Sequence, residues 1–248
     1  LKRASGRRAR DLDLSGTTFV LGKGGTGKSV LSEGLASLSA DAGSRTLLIR
    51  IGESLGSSDP KSPRPAPTRH GFASVDLDPR HAMDEYIQKV VRLRPLVERI
   101  TSSEVYRKFF AAAPGLPELV LLGRIRAYAQ EGAEKEARFQ SIIVDCPSSG
   151  HGLLMLETPF AAYRAVPVGP FAKLARQIME WLKTEARLAL VAIPEEMAVV
   201  EAIEFKQELK ERTALSPSLV FLNRMQREGL SAAAQRALTE VDAAPGSF

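Results

Sequence analysis

The chain has 248 residues, 44% of them hydrophobic and 25% charged, which suits one folded domain with a sizeable core. No apolar run approaches the roughly 18 to 20 residues that a membrane-spanning helix needs. The basic N-terminal stretch has no apolar segment behind it to act as a signal peptide, so a cytoplasmic protein is expected. The single cysteine, Cys146, excludes a disulfide within the chain and a zinc site built on paired cysteines, and His70, His81 and His151 lack metal-ligand spacing.

Residues 1–10 carry Lys2, Arg3, Arg7, Arg8 and Arg10 and no acid, which accounts for the whole formal net charge of +5. The basicity therefore belongs to a flexible tail, assigned to residues 1–14, with the folded body at 15–248. A charge block of this kind is more often a solvated end than a contact for nucleic acid or anionic membrane. Thr17–Leu21 (TTFVL) predicts a buried strand that runs straight into a glycine loop. Lys28–Ala42 has helical apolar spacing, with Gly43 as its C-cap, and Thr46–Ile51 (TLLIRI) predicts the next strand. Strand, loop, helix and strand in this order make a βαβ unit, and hence a parallel sheet.

Residues 52–70 alternate Pro60, Pro63, Pro65 and Pro67 with small and polar residues, which predicts a loop. Gly71–Leu77 reads as a further strand. From Pro79 to about Gln140 the pattern is mostly helical, broken at Pro114–Pro117, and predicts a helical subdomain inserted on the sheet. Strands return at Ser141–Asp145 (SIIVD), Leu188–Ile193 and Ser218–Leu222, with helices at Pro170–Arg187, Glu195–Thr213 and Leu230–Val241. The expected fold is α/β: a doubly wound, mostly parallel sheet with a helical insertion.

The glycine loop reads GKGGTGKS and fills the pattern G-x-x-x-x-G-K-[ST] with Gly22, Gly27, Lys28 and Ser29. Glycines let backbone N–H groups turn toward phosphate oxygens without Cβ clashes. The cradle is assigned to Gly22, Gly24, Gly25, Thr26, Gly27, Lys28, Ser29 and Val30, and its ligand to ATP or ADP with Mg²⁺. Lys28 neutralises the β and γ oxygens, and the Ser29 hydroxyl is a ligand to Mg²⁺. Asp145, at a strand end, polarises the same ion through water.

Lys23 is a second lysine that an ordinary phosphate loop does not need. With it the loop resembles the deviant Walker A motif, KGGxGK[ST], of the SIMIBI class of dimeric P-loop NTPases. In that class the extra lysine reaches across the dimer to the partner's nucleotide, as an arginine finger does. Asp145–Leu153 (DCPSSGHGL) resembles the DxPxTGHxL switch segment of the ArsA family of arsenite-pump and tail-anchored-protein targeting ATPases. Phe110–Leu116 (FAAAPGL), Ile193–Met197 (IPEEM) with Glu201, and Phe221–Arg224 (FLNR) match further family segments, so the resemblance runs from about Thr17 to Met225. It implies a dimer that opens and closes with the ATP cycle and catalytic roles for Lys23 and Asp145. It also implies that Asn223 reads the adenine edge and that Glu201 lies near the phosphate loop. His151 belongs to the moving switch, and nothing beside it in sequence orients it as a base.

The chain also departs from this pattern. Family members carry an aspartate just after the second strand to orient the attacking water, and here Gly52 takes that place. Glu53 is one residue off and is the nearest catalytic substitute, with Asp59 further along. Hydrolysis depends on that positioning and nucleotide binding does not. The arsenite-site cysteines and the zinc CxxC are missing, so neither arsenite nor zinc is expected. The segment 79–140 is not methionine-rich, unlike grooves that accept varied apolar helices. The chain stops soon after Asn223, so part of the adenine pocket is expected to be missing or to come from a partner.

The leading reading is an ATP-driven dimeric switch that handles a protein client. A second is a catalytically weak subunit that regulates a paralogous ATPase in a heterodimer. A third is a ParA-like positioning ATPase whose basic tail touches DNA or membrane. The Asp145–Leu153 segment favours the first two, and deletion of residues 1–10 separates them from the third, which alone would lose surface binding.

Overall fold

The computed structural model describes residues 12–51, 64–90, 115–130 and 139–225. Seven strands form one sheet in the order β3-β4-β2-β5-β1-β6-β7. β1 (Gly16–Gly22) pairs in parallel with β5 (Ser141–Asp145) on one side and β6 (Ala186–Ala192) on the other. β2 (Thr46–Ile51) lies between β5 and β4 (Ala73–Leu77), and β7 (Leu219–Leu222) extends the sheet beyond β6, again in parallel. β3 (Ala66–Pro67) alone is antiparallel, against β4.

Side chains alternate across a strand, and the central strands are buried on both faces. Phe19, Leu21, Leu47, Ile49, Ile142 and Val144 join one core cluster, while Val20, Leu48, Ile143 and Val191 join another. Both-face burial explains the unbroken apolar runs of β1, β2 and β5, which carry no helix-like period. The first face is covered by α3 (Leu116–Gln130), α4 (Ser149–Ala165), α5 (Pro170–Thr184) and α6 (Glu196–Thr213). Trp181 of α5 meets Phe19 edge-on, with centroids 5.7 Å apart. The second face is covered by α1 (Lys28–Asp41) through Leu35 and Ala36. A smaller cluster of Ala82, Met83 and Val120 joins α2 (Pro79–Val90) to α3. The result is the expected α/β P-loop NTPase fold, a mostly parallel sheet with helices on both faces.

Four features differ from the sequence reading. α4 is not anticipated, because Gly150, Gly152 and Pro159 disguise it. Tertiary packing overrides their low helix propensity, since Leu153, Met155, Leu156 and Phe160 are all buried. Thr158, next to Pro159, donates its hydroxyl to the Leu154 carbonyl at 2.7 Å. Pro67, read as loop, falls in the two-residue edge strand, where a proline costs no ladder bond in the sheet interior. Residues 12–14, assigned to the tail, pack on the body: Leu14 is 5% exposed, and Arg187 grips both the carbonyl and the carboxylate of Asp13. Finally, α5 ends at Thr184 and β6 begins at Ala186, earlier than the apolar run alone suggests.

The basic stretch 1–10, the proline-rich residues 52–63, most of FAAAPGL and the helix expected at 230–241 lie outside the described residues, as do 91–114 and 131–138 of the helical segment. Among the described residues no helix is long and apolar enough to cross a membrane.

Candidate functional site

The carboxyl ends of the parallel strands are where an open α/β sheet holds its ligand. The glycine loop leaves β1 there, between β5 and β6, and ends in α1. Gly22 closes β1 with φ of 150°, and a side chain at this position would run into the Val191 carbonyl of β6. Only glycine lets the chain turn off the sheet so close to its neighbour.

Three bonds set the shape of the loop. The Lys23 carbonyl accepts from the Thr26 hydroxyl at 2.8 Å and from Lys28 Nζ at 3.0 Å. The Thr26 carbonyl accepts from Asn223 Nδ2 at 2.9 Å. Thr26 and Lys28 are buried, whereas Gly24, Gly25, Ser29 and Val30 are exposed. Gly27 is the N-cap of α1 with no side-chain cap bond, and no acid lies in the first helical turn. Helix N-termini leave N–H groups outside the intrahelical ladder, and the positive end of the α1 dipole faces the exposed part of the loop. That arrangement suits an anion.

Asp145 ends β5 beside β1 and β2, in register with Val20 and Arg50. Its Oδ1 accepts a bond from the Ser32 hydroxyl at 3.4 Å. Ser32 is fully buried on α1, and sequence reasoning did not single it out. The available signal was its spacing, one helical turn beyond Ser29. Among the described residues no three His, Cys, Asp or Glu side chains cluster as a metal cage. Mg²⁺ needs none, because it keeps waters and takes one or two protein ligands together with substrate phosphates. The exposed Ser29 hydroxyl and the half-buried Asp145 carboxylate are a donor set that fits this ion.

Asn223 follows β7. Its backbone N–H donates to the Ala192 carbonyl at 2.8 Å, and its Oδ1 accepts from the Arg224 N–H at 2.9 Å. The side chain is thus turned onto the loop, and a Cβ on Gly27, whose φ is 87°, would overlap its Nδ2. An asparagine amide has two N–H donors and two acceptor positions on oxygen, so beyond these two bonds one of each remains.

The Lys23 ammonium meets Glu201 of α6 at 2.5 Å, with the two side chains 50% and 35% exposed. Glu201 therefore lies at the loop, and Lys23 points at its own chain. His151 is exposed on the first turn of α4. Cys146, next to Asp145, is buried, and burial, with Asp145's charge adding to it, pushes its thiol above the ordinary range. It is a poor nucleophile. Gly52, Glu53 and Asp59 lie outside the described residues, although β2 does end at Ile51.

Residues 16–220 match the family model described as anion-transporting ATPase. The chain belongs to that family. Among its relatives is a putative arsenical pump-driving ATPase of Halobacterium salinarum, 24% identical over 228 residues that cover 83% of this chain and 35% of that protein. ATPase BagA of Mycobacterium tuberculosis is 26% identical over 203 residues, 77% of this chain and 60% of that protein. ATPase ASNA1 homolog 1 of Paramecium tetraurelia is 25% identical over 147 residues, 57% and 43% of the two chains. The chain thus matches between about a third and 60% of the length of these relatives. Membership of this ATPase family supports nucleotide binding in general terms and agrees with the resemblance read from the switch segment.

Proposed function

We propose that this chain is a Mg²⁺-dependent, ATP-binding dimeric switch of the ArsA-like type, working in the cytoplasm and coupling its nucleotide cycle to a protein client. One observation carries the reading: a glycine loop braced by Thr26, Lys28 and Asn223 presents the N-terminus of α1 beside Asp145. In this reading Lys28 and the loop N–H groups hold the phosphates, and Ser29 and Asp145 hold Mg²⁺, which neutralises phosphate charge. Asn223 passes its remaining donor and acceptor to adenine, and Lys23 reaches the partner's nucleotide. The client is inferred from the resemblance to targeting ATPases and from exposed apolar residues at the α4–α5 junction. There Val166, Val168 and Phe171 are 59%, 74% and 37% exposed, an arrangement typical of interaction surfaces.

A second reading rests on Gly52, the residue immediately after β2, where the family's water-orienting aspartate belongs. In that reading the chain binds ATP, turns it over poorly and regulates a paralogous ATPase. Sedimentation velocity with and without Mg²⁺-ATP, run beside phosphate release, tests both. ATP-dependent dimers that turn over support the first reading, and dimers without turnover support the second. A chain that stays monomeric with ATP and is inert, alone and with a paralogue, contradicts both.

A further inference from the structure

The ion pair between Lys23 and Glu201 places the one loop lysine not committed to the loop's own backbone in the grip of α6. Lys28 donates to the Lys23 carbonyl inside the loop. Lys23 sends its ammonium away from the loop to Glu201, 178 residues later in the chain. The Lys23 backbone stays fixed, because its carbonyl holds both Thr26 and Lys28. Only the side chain is free to change partner. The gap behind the pair is nearly closed by Gly22, Ser149, Ala198 and Phe205, which leaves the ammonium a choice between the α6 carboxylate and the open side.

Electrostatics makes this a competition. Paired, the two groups present no net charge to an incoming anion. A triphosphate that draws Lys23 away leaves Glu201 with an unbalanced charge on α6. The pair is partly exposed, so it is weak enough to exchange. We infer that Glu201 is a positioning residue for Lys23: it holds the ammonium on its own chain and releases it only to the triphosphate of a second copy. This inference rests on the dimeric switch proposed above and adds a threshold to it. In a two-fold dimer the pair is broken twice, once in each chain. Exposed pairs of this kind change an equilibrium by about 1.5- to 5-fold each, so removing both tightens the dimer by about 2- to 25-fold.

The test is sedimentation equilibrium of the full chain with Mg²⁺ and a non-hydrolysable ATP analogue, then with ADP. Glu201→Gln keeps the shape and removes the charge, and Glu201→Ala serves as a second variant should the first fold poorly. The expected result is self-association tightened by that factor with the ATP analogue, no change with ADP, and no effect of Glu201→Gln in a Lys23→Ala background. A merely structural role for Glu201 would weaken association or act equally without Lys23. Either result overturns the inference, as does an unchanged dimer constant. If the wild-type chain stays monomeric with the analogue at all concentrations, the dimer reading falls and this inference falls with it.

Discussion

Replacing Gly27 with alanine probes the loop at its tightest point. Gly27 has φ of 87° and ψ of 25°, the left-handed region, where a Cβ costs about 1 to 2 kcal/mol. The new Cβ would also overlap Asn223 Nδ2, so the amide must leave. The Thr26 carbonyl then loses its 2.9 Å bond, and an unsatisfied buried acceptor costs about 1 to 3 kcal/mol. Gly27→Ala should therefore destabilise the fold by about 2 to 5 kcal/mol. In an Asn223→Ala background only the backbone strain remains, at about 1 to 2 kcal/mol. The coupling between the two sites is the difference, about 1 to 3 kcal/mol. Urea denaturation measures it. The lone tryptophan, Trp181, is buried against Phe19 and reports the core, while circular dichroism reports the helices, and coincident transitions license the two-state treatment. Equal costs of Gly27→Ala in both backgrounds would refute the claim that Asn223 braces the loop.

Other consequences follow from the same geometry. Gly52→Asp should raise steady-state phosphate release by roughly tenfold or more, because it returns a carboxylate to the exit of β2 where water is positioned; unchanged turnover would remove the missing-aspartate account. The Ser15 bonds, followed by Arg187, hold the Asp13 carboxyl down at about 2. A depressed carboxylate stabilises the fold above its ordinary range, and the benefit fades as pH falls from about 4 to about 2. Asp13→Asn should thus cost a little stability at pH 7 and less at pH 2, the cost being small because the side chain is 68% exposed. A cost that is the same at both pH values would contradict this.

The fold was legible wherever a strand is buried on both faces. TTFVL, TLLIRI and SIIVD are short β-branched or apolar runs beside glycine or a carboxylate, and each is a central strand. α4 was not legible, because its glycines and Pro159 are local signals against a helix, and the packing of Leu153, Met155 and Leu156 that overrides them is non-local. The same limit explains residues 12–14. Charge alone assigned them to the tail, and only the β6 partner Arg187 shows that Asp13 is tied down. At the site, local spacing found the loop and Asp145. The family resemblance brought Glu201 near the loop, but the pairings themselves were out of reach: Ser32 with Asp145, and Lys23 with Glu201 across 178 residues. Asn223 was expected to face a base. That its amide also braces Thr26 follows from β7 lying beside β6, which no spacing along the chain reveals.

Calorimetric titration of the chain with Mg²⁺-ATP tests whether the loop from Gly22 to Ser29 binds the phosphates of ATP with Mg²⁺. One nucleotide should bind per chain. Lys28→Ala should weaken binding by about 10- to 150-fold, the worth of a charge-assisted hydrogen bond. No binding by the wild-type chain, or equal binding by Lys28→Ala, would contradict that role for the loop.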